Sequence, residues 1–71
     1  MRPMNRLRSK LFEAEITQAD LGKILGHSGQ YISDRMQEVY AFNIWEVYEL
    51  CRILDIPIED IPIYFPDKKK N

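Results

Sequence analysis

Apolar residues recur three and four positions apart along most of the chain, and no segment alternates long enough to predict a β-sheet. The first such pattern consists of Leu7, Leu11 and Phe12. It predicts an amphipathic helix from Arg6 to Glu15, with a basic outer face near its start. We therefore expect an all-α fold, in which five short helices account for nearly all of the apolar residues.

A second and a third helix are predicted next, separated by a tight turn. Thr17 and Asp20 form a capping box at the start of the second helix, and Gly26 suits the left-handed conformation that ends it. Ser28 is a further N-cap, from which the third helix is predicted to run to about Glu38. The residues expected to face the core are Leu21, Ile24 and Leu25 in the second helix, and Ile32 and Met36 in the third.

A longer fourth helix and a short fifth helix complete the predicted fold. Asn43 and Glu46 form a capping box at the start of the fourth helix. Pro57 suits the first turn of the fifth, and Pro62 and Pro66 are expected to limit it. The residues expected to face inward are Ile44, Val47, Leu50, Cys51 and Leu54 in the fourth helix, and Ile58 and Ile61 in the fifth. Trp45 is interpreted as core rather than interface, and so is Tyr48.

Charge is strongly segregated along the 71 residues, although the net charge is only −1. Residues 13–67 hold all eleven acids and three bases, a formal charge of −8, whereas both ends are basic. The length allows one domain. We expect residues 6–65 to form it, residues 1–5 to be a basic arm and residues 66–71 to be a basic mobile tail.

The sequence offers little material for catalysis or for metal binding. Cys51 is the only cysteine and His27 the only histidine, so neither a disulfide nor a Cys/His metal site is predicted. His27 is interpreted as an ordinary turn residue, and Cys51 as a small buried hydrophobe. We expect no enzyme activity, no cofactor and no small-molecule substrate. No apolar run reaches the length of a signal peptide or a membrane span, so a cytoplasmic protein of a bacterial cell is expected.

Residues 16–33, ITQADLGKILGHSGQYIS, carry the functional motif. With Gln18, Leu21, Gly22 and Gly26 in place, this segment resembles the Cro/C1-type helix-turn-helix family. Gly22 in mid-helix costs about 1 kcal/mol in helix propensity, which suggests that the next helix crosses close above it. The resemblance extends over residues 7–61 and implies a compact five-helix repressor-like domain that binds DNA. One departure is that Arg35 and Met36 stand where the family has an apolar residue followed by Glu, so we expect Met36 to be the buried residue and Arg35 to face solvent or a phosphate.

The resemblance also suggests which residues contact a partner. In the family, the third helix reads base edges in the major groove and the start of the second grips a phosphate. Tyr31 has two interpretations, stacking on a partner or leaning over the turn, and Gly29 is expected to let the helix start closely packed. The candidate binding residues are Gln18, Ser28, Gly29, Gln30, Tyr31, Ser33, Asp34, Arg35 and Glu38.

Two partners fit this surface. One is double-stranded operator DNA, bound as Cro binds it. The other is a repressor protein, because the acidic surface would complement a repressor's basic DNA-reading face, and a short acidic chain of this type resembles the modulator-of-repression proteins of temperate phages. The charge favours the repressor as partner, with direct operator binding as the alternative. An antitoxin built on the same fold is a further alternative.

Overall fold

The computed structural model describes residues 4–65, which contain five α-helices and no β-strand. The helices are α1 (Asn5–Glu13), α2 (Gln18–Leu25), α3 (Gly29–Met36), α4 (Ile44–Leu54) and α5 (Ile61–Tyr64), and a 3₁₀ turn (Ile58–Asp60) precedes α5. The prediction of an all-α fold is confirmed. The expected mobile tail, residues 66–71, lies outside the described residues, as do residues 1–3 of the expected arm.

The helix caps form as the sequence predicts, although α1 and α3 each end two residues earlier than expected. Both capping boxes are complete, so that Thr17 and Asn43 each accept a hydrogen bond from the backbone three residues on, and the acid there accepts one in return. The Ser28 hydroxyl caps α3. Gly26 ends α2 with a φ of 75°, a left-handed conformation that favours glycine. Side-chain caps therefore set where α2, α3 and α4 begin.

One hydrophobic core joins the first four helices. Its buried members are Met4, Leu7, Leu11, Leu21, Ile32, Met36, Val47, Leu50, Cys51, Leu54 and Ile56. Met36 is buried, as expected from the departure in the motif. Met4, which the sequence assigned to the basic arm, also packs in the core, next to the start of α1.

Several apolar residues were wrongly predicted to face inward. Phe12 is 84% exposed, since it lies about 100° around α1 from the buried Leu11. Ile44 is exposed as the first residue of α4. Trp45 and Tyr48, predicted to be core, lie instead on the solvent side of α4. Ile24 and Ile58 are also exposed. Partly buried aromatic rings of Phe42 and Phe65, in edge-to-face contact, pack against the core instead.

Pro62 does not limit the fifth helix, contrary to the prediction, and Pro66 lies outside the described residues. It lies in the first turn of α5, where a backbone N–H has no partner within the helix and a proline costs nothing. Within residues 4–65, no helix is long and apolar enough to span a bilayer.

Candidate functional site

Gly22 lies where α2 passes the turn that leads into α3. A β-carbon added at Gly22 would lie 2.7 Å from the backbone oxygen of His27, closer than side chains approach in real structures. The His27 N–H in turn donates to the Gly22 carbonyl at 2.8 Å. The close approach predicted at Gly22 is confirmed, although the backbone that passes over it belongs to the turn before α3 and not to α3 itself. Together α2 and α3 form a helix-turn-helix.

The start of α3 presents small polar groups to solvent. Ser28, Gly29 and Gln30 are all exposed, and the first turn of α3 contains no acidic residue. Gln18 is half-exposed at the first position of α2. A β-carbon at Gly29 would meet nothing within 4 Å, so the expectation that this glycine permits close packing within the chain is wrong. The chain's own fold leaves this end of α3 open.

Two side-chain pairs lie along the exposed part of α3. The Gln30 amide donates to a carboxylate oxygen of Asp34 at 2.8 Å, and the Gln37 amide donates to the Ser33 hydroxyl at 3.2 Å. Each pair spans four residues, the distance at which side chains on a helix are neighbours. One oxygen of the Asp34 carboxylate is therefore already hydrogen-bonded.

Four side chains form a stack along the inner edge of α3. The His27 and Tyr31 rings lie 3.6 Å apart and nearly parallel, and the Arg35 guanidinium carbon lies 3.5 Å from the Tyr31 ring centre. Both partners are in van der Waals contact with one ring, so they cover opposite faces of it. Tyr40, from the loop after α3, lies on Arg35 at 5.0 Å. We call these four residues the aromatic stack.

Arg35 is held in this stack without an ionic partner. It forms no ion pair with any residue between 4 and 65, and its Nε is buried with no hydrogen bond there. Guanidinium groups stack on aromatic rings while keeping their N–H edges for other partners. The structure thus orients a positive charge at the last turn of α3.

Glu46 connects the aromatic stack to α4. Its carboxylate is buried, with only 6% of the residue exposed. One oxygen accepts a hydrogen bond from the Tyr31 hydroxyl at 2.6 Å and lies 3.1 Å from His27 Nε2, and the other accepts from the Asn43 N–H at 3.0 Å. The hydrogen bond to Glu46 raises the pKa of the Tyr31 hydroxyl. Tyr31 therefore leans over the turn, which is the second of its two interpretations. Its ring faces contact His27 and Arg35, and its hydroxyl bonds Glu46.

Sequence reasoning missed three residues that hold α3 in place: His27 and Tyr40 of the aromatic stack, and Arg8 of α1. His27 was interpreted as an ordinary turn residue, although it precedes Tyr31 by four residues, as Tyr31 precedes Arg35, and this spacing is the signal that could have revealed the stack. Tyr40 carries no such signal, because it reaches Arg35 from a loop. Arg8 of α1 was also missed, and its guanidinium donates to the Met36 carbonyl at the end of α3 at 3.1 Å. Beyond α3, Glu38 adopts a left-handed φ of 63°.

The described residues contain no arrangement suited to metal or thiol chemistry. No group of three or more His, Cys, Asp or Glu between residues 4 and 65 is placed to hold a metal ion. Cys51 is buried in the core, and that burial raises the pKa of its thiol, so little of the reactive thiolate is present near neutral pH.

Comparison with known proteins places this geometry in a family. No curated protein and no solved structure matches the chain. A family model described as the Cro/C1-type HTH DNA-binding domain matches residues 6–67, which include all five helices apart from the first residue of α1. The chain therefore belongs to the Cro/C1-type helix-turn-helix DNA-binding family and is a transcriptional regulator of that type.

Proposed function

We propose that the protein binds operator DNA, with α3 in the major groove and Gln30 and Ser33 facing base edges. A glutamine pairs well with adenine, and a serine hydroxyl with several bases. Gln18 and Ser28, at the starts of α2 and α3, are suited to backbone phosphates, since free amides point outward at a helix N-terminus. Asp34, the one acid within α3, is partly satisfied by Gln30 and can accept from a cytosine amino group.

The observation that supports this proposal most strongly is the stacked Arg35 guanidinium, whose Nε has no hydrogen bond within residues 4–65. DNA binding draws much of its strength from neutralising phosphates, and α3 has one cation for the task. An arginine already stacked between Tyr31 and Tyr40, and in no ion pair with an acid of residues 4–65, loses little side-chain freedom when a phosphate arrives. This preorganisation offsets part of the electrostatic repulsion between DNA and the acidic residues 13–67.

Replacing Arg35 by glutamine is expected to weaken binding uniformly across DNA sequences. Losing one phosphate contact should reduce the slope of log K against log salt by about 1. Duplexes would first be selected from a random pool with the full chain, and their affinities for both proteins would then be measured by fluorescence anisotropy over a salt series.

Lys10→Gln is the matched control, because it removes the same charge from α1, where the ammonium lies over the Tyr64 ring rather than beside α3. An equal fall in slope for both variants would mean that only overall charge matters. Failure to select any duplex would exclude operator binding by the isolated protein.

A second candidate function is favoured by the −8 charge of residues 13–67. In this proposal the protein is a phage-type modulator of a lysis–lysogeny switch, and its α3 surface, with Asp34 and Glu38, docks on the basic DNA-reading face of a repressor in the bacterial cytoplasm. Complementary charge would speed and orient that encounter.

A titration separates the two candidates. A labelled operator bound by the repressor is titrated with the wild-type protein and with an Asp34→Lys, Glu38→Lys variant. The second candidate predicts that the wild type releases the operator and that the variant releases much less. Equal release by both would exclude the acidic surface as the contact, and binding of the operator by the wild type alone would favour the first candidate.

A further inference from the structure

A groove lies between α1 and α5, outside the helix-turn-helix. Its volume is about 320 Å³, at the lower end of the range that small-molecule sites occupy. Tyr64, which is half-buried against the core, forms the wall on the side of α5. We call this cavity the α1–α5 groove. The residues that line it are Asn5, Arg6, Ser9, Lys10, Glu13 and Tyr64.

Two cations in the α1–α5 groove form no ion pair with any residue between 4 and 65. They are Arg6 and Lys10, which lie four residues apart, the spacing at which side chains on a helix are neighbours. The Lys10 ammonium lies 6.0 Å from the centre of the Tyr64 ring, and this contact orients it at the groove wall. The groove therefore holds two neighbouring positive charges that are available to one anion.

A phosphate monoester is the small anion that suits these two charges. It carries close to two negative charges at neutral pH and three acceptor oxygens, so that one phosphate can accept hydrogen bonds from both Arg6 and Lys10. The exposed Ser9 hydroxyl, from the same side of α1, supplies a further donor. A monocarboxylate would leave one of the two cations without a partner.

Glu13 determines what the phosphate can be attached to. It lies one turn beyond Lys10 and two turns beyond Arg6, so the far end of the α1–α5 groove is acidic. A polyanion that ran along the groove would be repelled by this carboxylate. A monoester has its charge at one end only, and an N–H or O–H group of its organic part can donate to Glu13.

We propose that the α1–α5 groove binds a small phosphate monoester, with the phosphate between Arg6 and Lys10 and the organic part towards Glu13 and Tyr64. The inference goes beyond the proposed function and does not depend on what α3 binds. Arg8, whose guanidinium reaches the end of α3, lies about 160° around α1 from both Arg6 and Lys10. The groove therefore faces away from α3 and stays accessible when α3 is engaged.

The first test is a titration of the isotope-labelled full chain, followed by NMR at low salt, where exposed charges are least screened. The probes are adenosine monophosphate, inorganic phosphate and adenosine. Adenosine monophosphate should shift the amide resonances of Ser9, Lys10 and Tyr64 with a submillimolar dissociation constant. Inorganic phosphate should bind more weakly, because it lacks the organic part, and adenosine should cause no shift. A random DNA duplex should leave these three resonances in place.

Charge-removing variants test whether the two cations form the site. Arg6→Gln and Lys10→Gln should each raise the dissociation constant for adenosine monophosphate about fivefold, as expected for one exposed charge contact. Lys23→Gln is the matched control, because it removes the same charge from an exposed position of α2, outside the groove, and should leave the dissociation constant unchanged.

Four results would overturn the proposal. They are the absence of shifts with millimolar adenosine monophosphate, equal affinities for adenosine monophosphate and inorganic phosphate, equal weakening by Lys23→Gln and the two groove variants, and displacement of the groove resonances by the DNA duplex.

Discussion

Alanine at Gly22 should lower the free energy of unfolding by about 1–3 kcal/mol, although alanine is the better helix former. A β-carbon there would lie 2.7 Å from the His27 carbonyl oxygen, which is backbone and cannot swing away as a flexible side chain would. Overpacking of this kind usually costs about 1–3 kcal/mol. Leucine should cost more, and because a core of this size supplies only about 3–5 kcal/mol, Gly22→Leu is expected to leave little folded protein.

Gly29→Ala is the control for this experiment. It introduces the same methyl group on the other helix of the motif, where nothing lies within 4 Å. Its free energy of unfolding should equal or slightly exceed that of the wild type, because alanine favours the helix. Urea denaturation followed by circular dichroism measures both variants, and equal stabilities would disprove the close crossing.

Replacing Glu46 by alanine is expected to cost about 2–4 kcal/mol. The change removes the N3 half of the α4 capping box, so the Asn43 N–H loses its acceptor. It also leaves the Tyr31 hydroxyl without its charged acceptor, and hydrogen bonds to charged groups contribute about 1.5–3 kcal/mol. The loss should appear as a lower midpoint in urea denaturation.

The second capping box provides the matched control. Asp20 occupies in α2 the position that Glu46 occupies in α4, but it is exposed and its carboxylate bonds only its own cap at Thr17. Asp20→Ala should therefore destabilise the protein much less than Glu46→Ala. Tyr31→Phe should be destabilising in the wild type and nearly neutral once Glu46 is alanine. Independent effects of the Tyr31 and Glu46 substitutions would rule out the coupling between α3 and α4.

The local signals in the sequence were sufficient for the architecture. Thr17, Ser28 and Asn43 cap helices within a few residues of themselves, so their effect can be predicted without knowing the fold. Gly22 was also informative, because a glycine in mid-helix has a cost that only a close neighbour explains. Helix periodicity was less accurate at the edges of the apolar stripes, where Ile24 proved to be exposed.

The rest depends on contacts between distant parts of the chain. Trp45 and Tyr48 were assigned to the core because they are hydrophobic. Whether another helix covers that side of α4 depends on the whole fold, and none does within residues 4–65. Arg35 could be recognised as a departure from the family pattern. One of its two aromatic contacts comes from Tyr40, in a loop whose path the sequence pattern does not predict. The sequence likewise identified Glu46 only as part of a capping box, and its hydrogen bond from the Tyr31 hydroxyl could not be predicted.

Under the proposed function, the separation of roles along α3 has a consequence for how the protein can change its target. Tyr31, Ile32, Arg35 and Met36 hold the helix in place through the stack and the core. Among residues 4–65, the side chains of Gln30 and Asp34 bond to each other, and so do those of Gln37 and Ser33. Substitutions among exposed positions of this kind usually change stability by less than about 0.5 kcal/mol. New binding preferences can thus arise, by evolution or by library selection, without compensating mutations elsewhere in the domain.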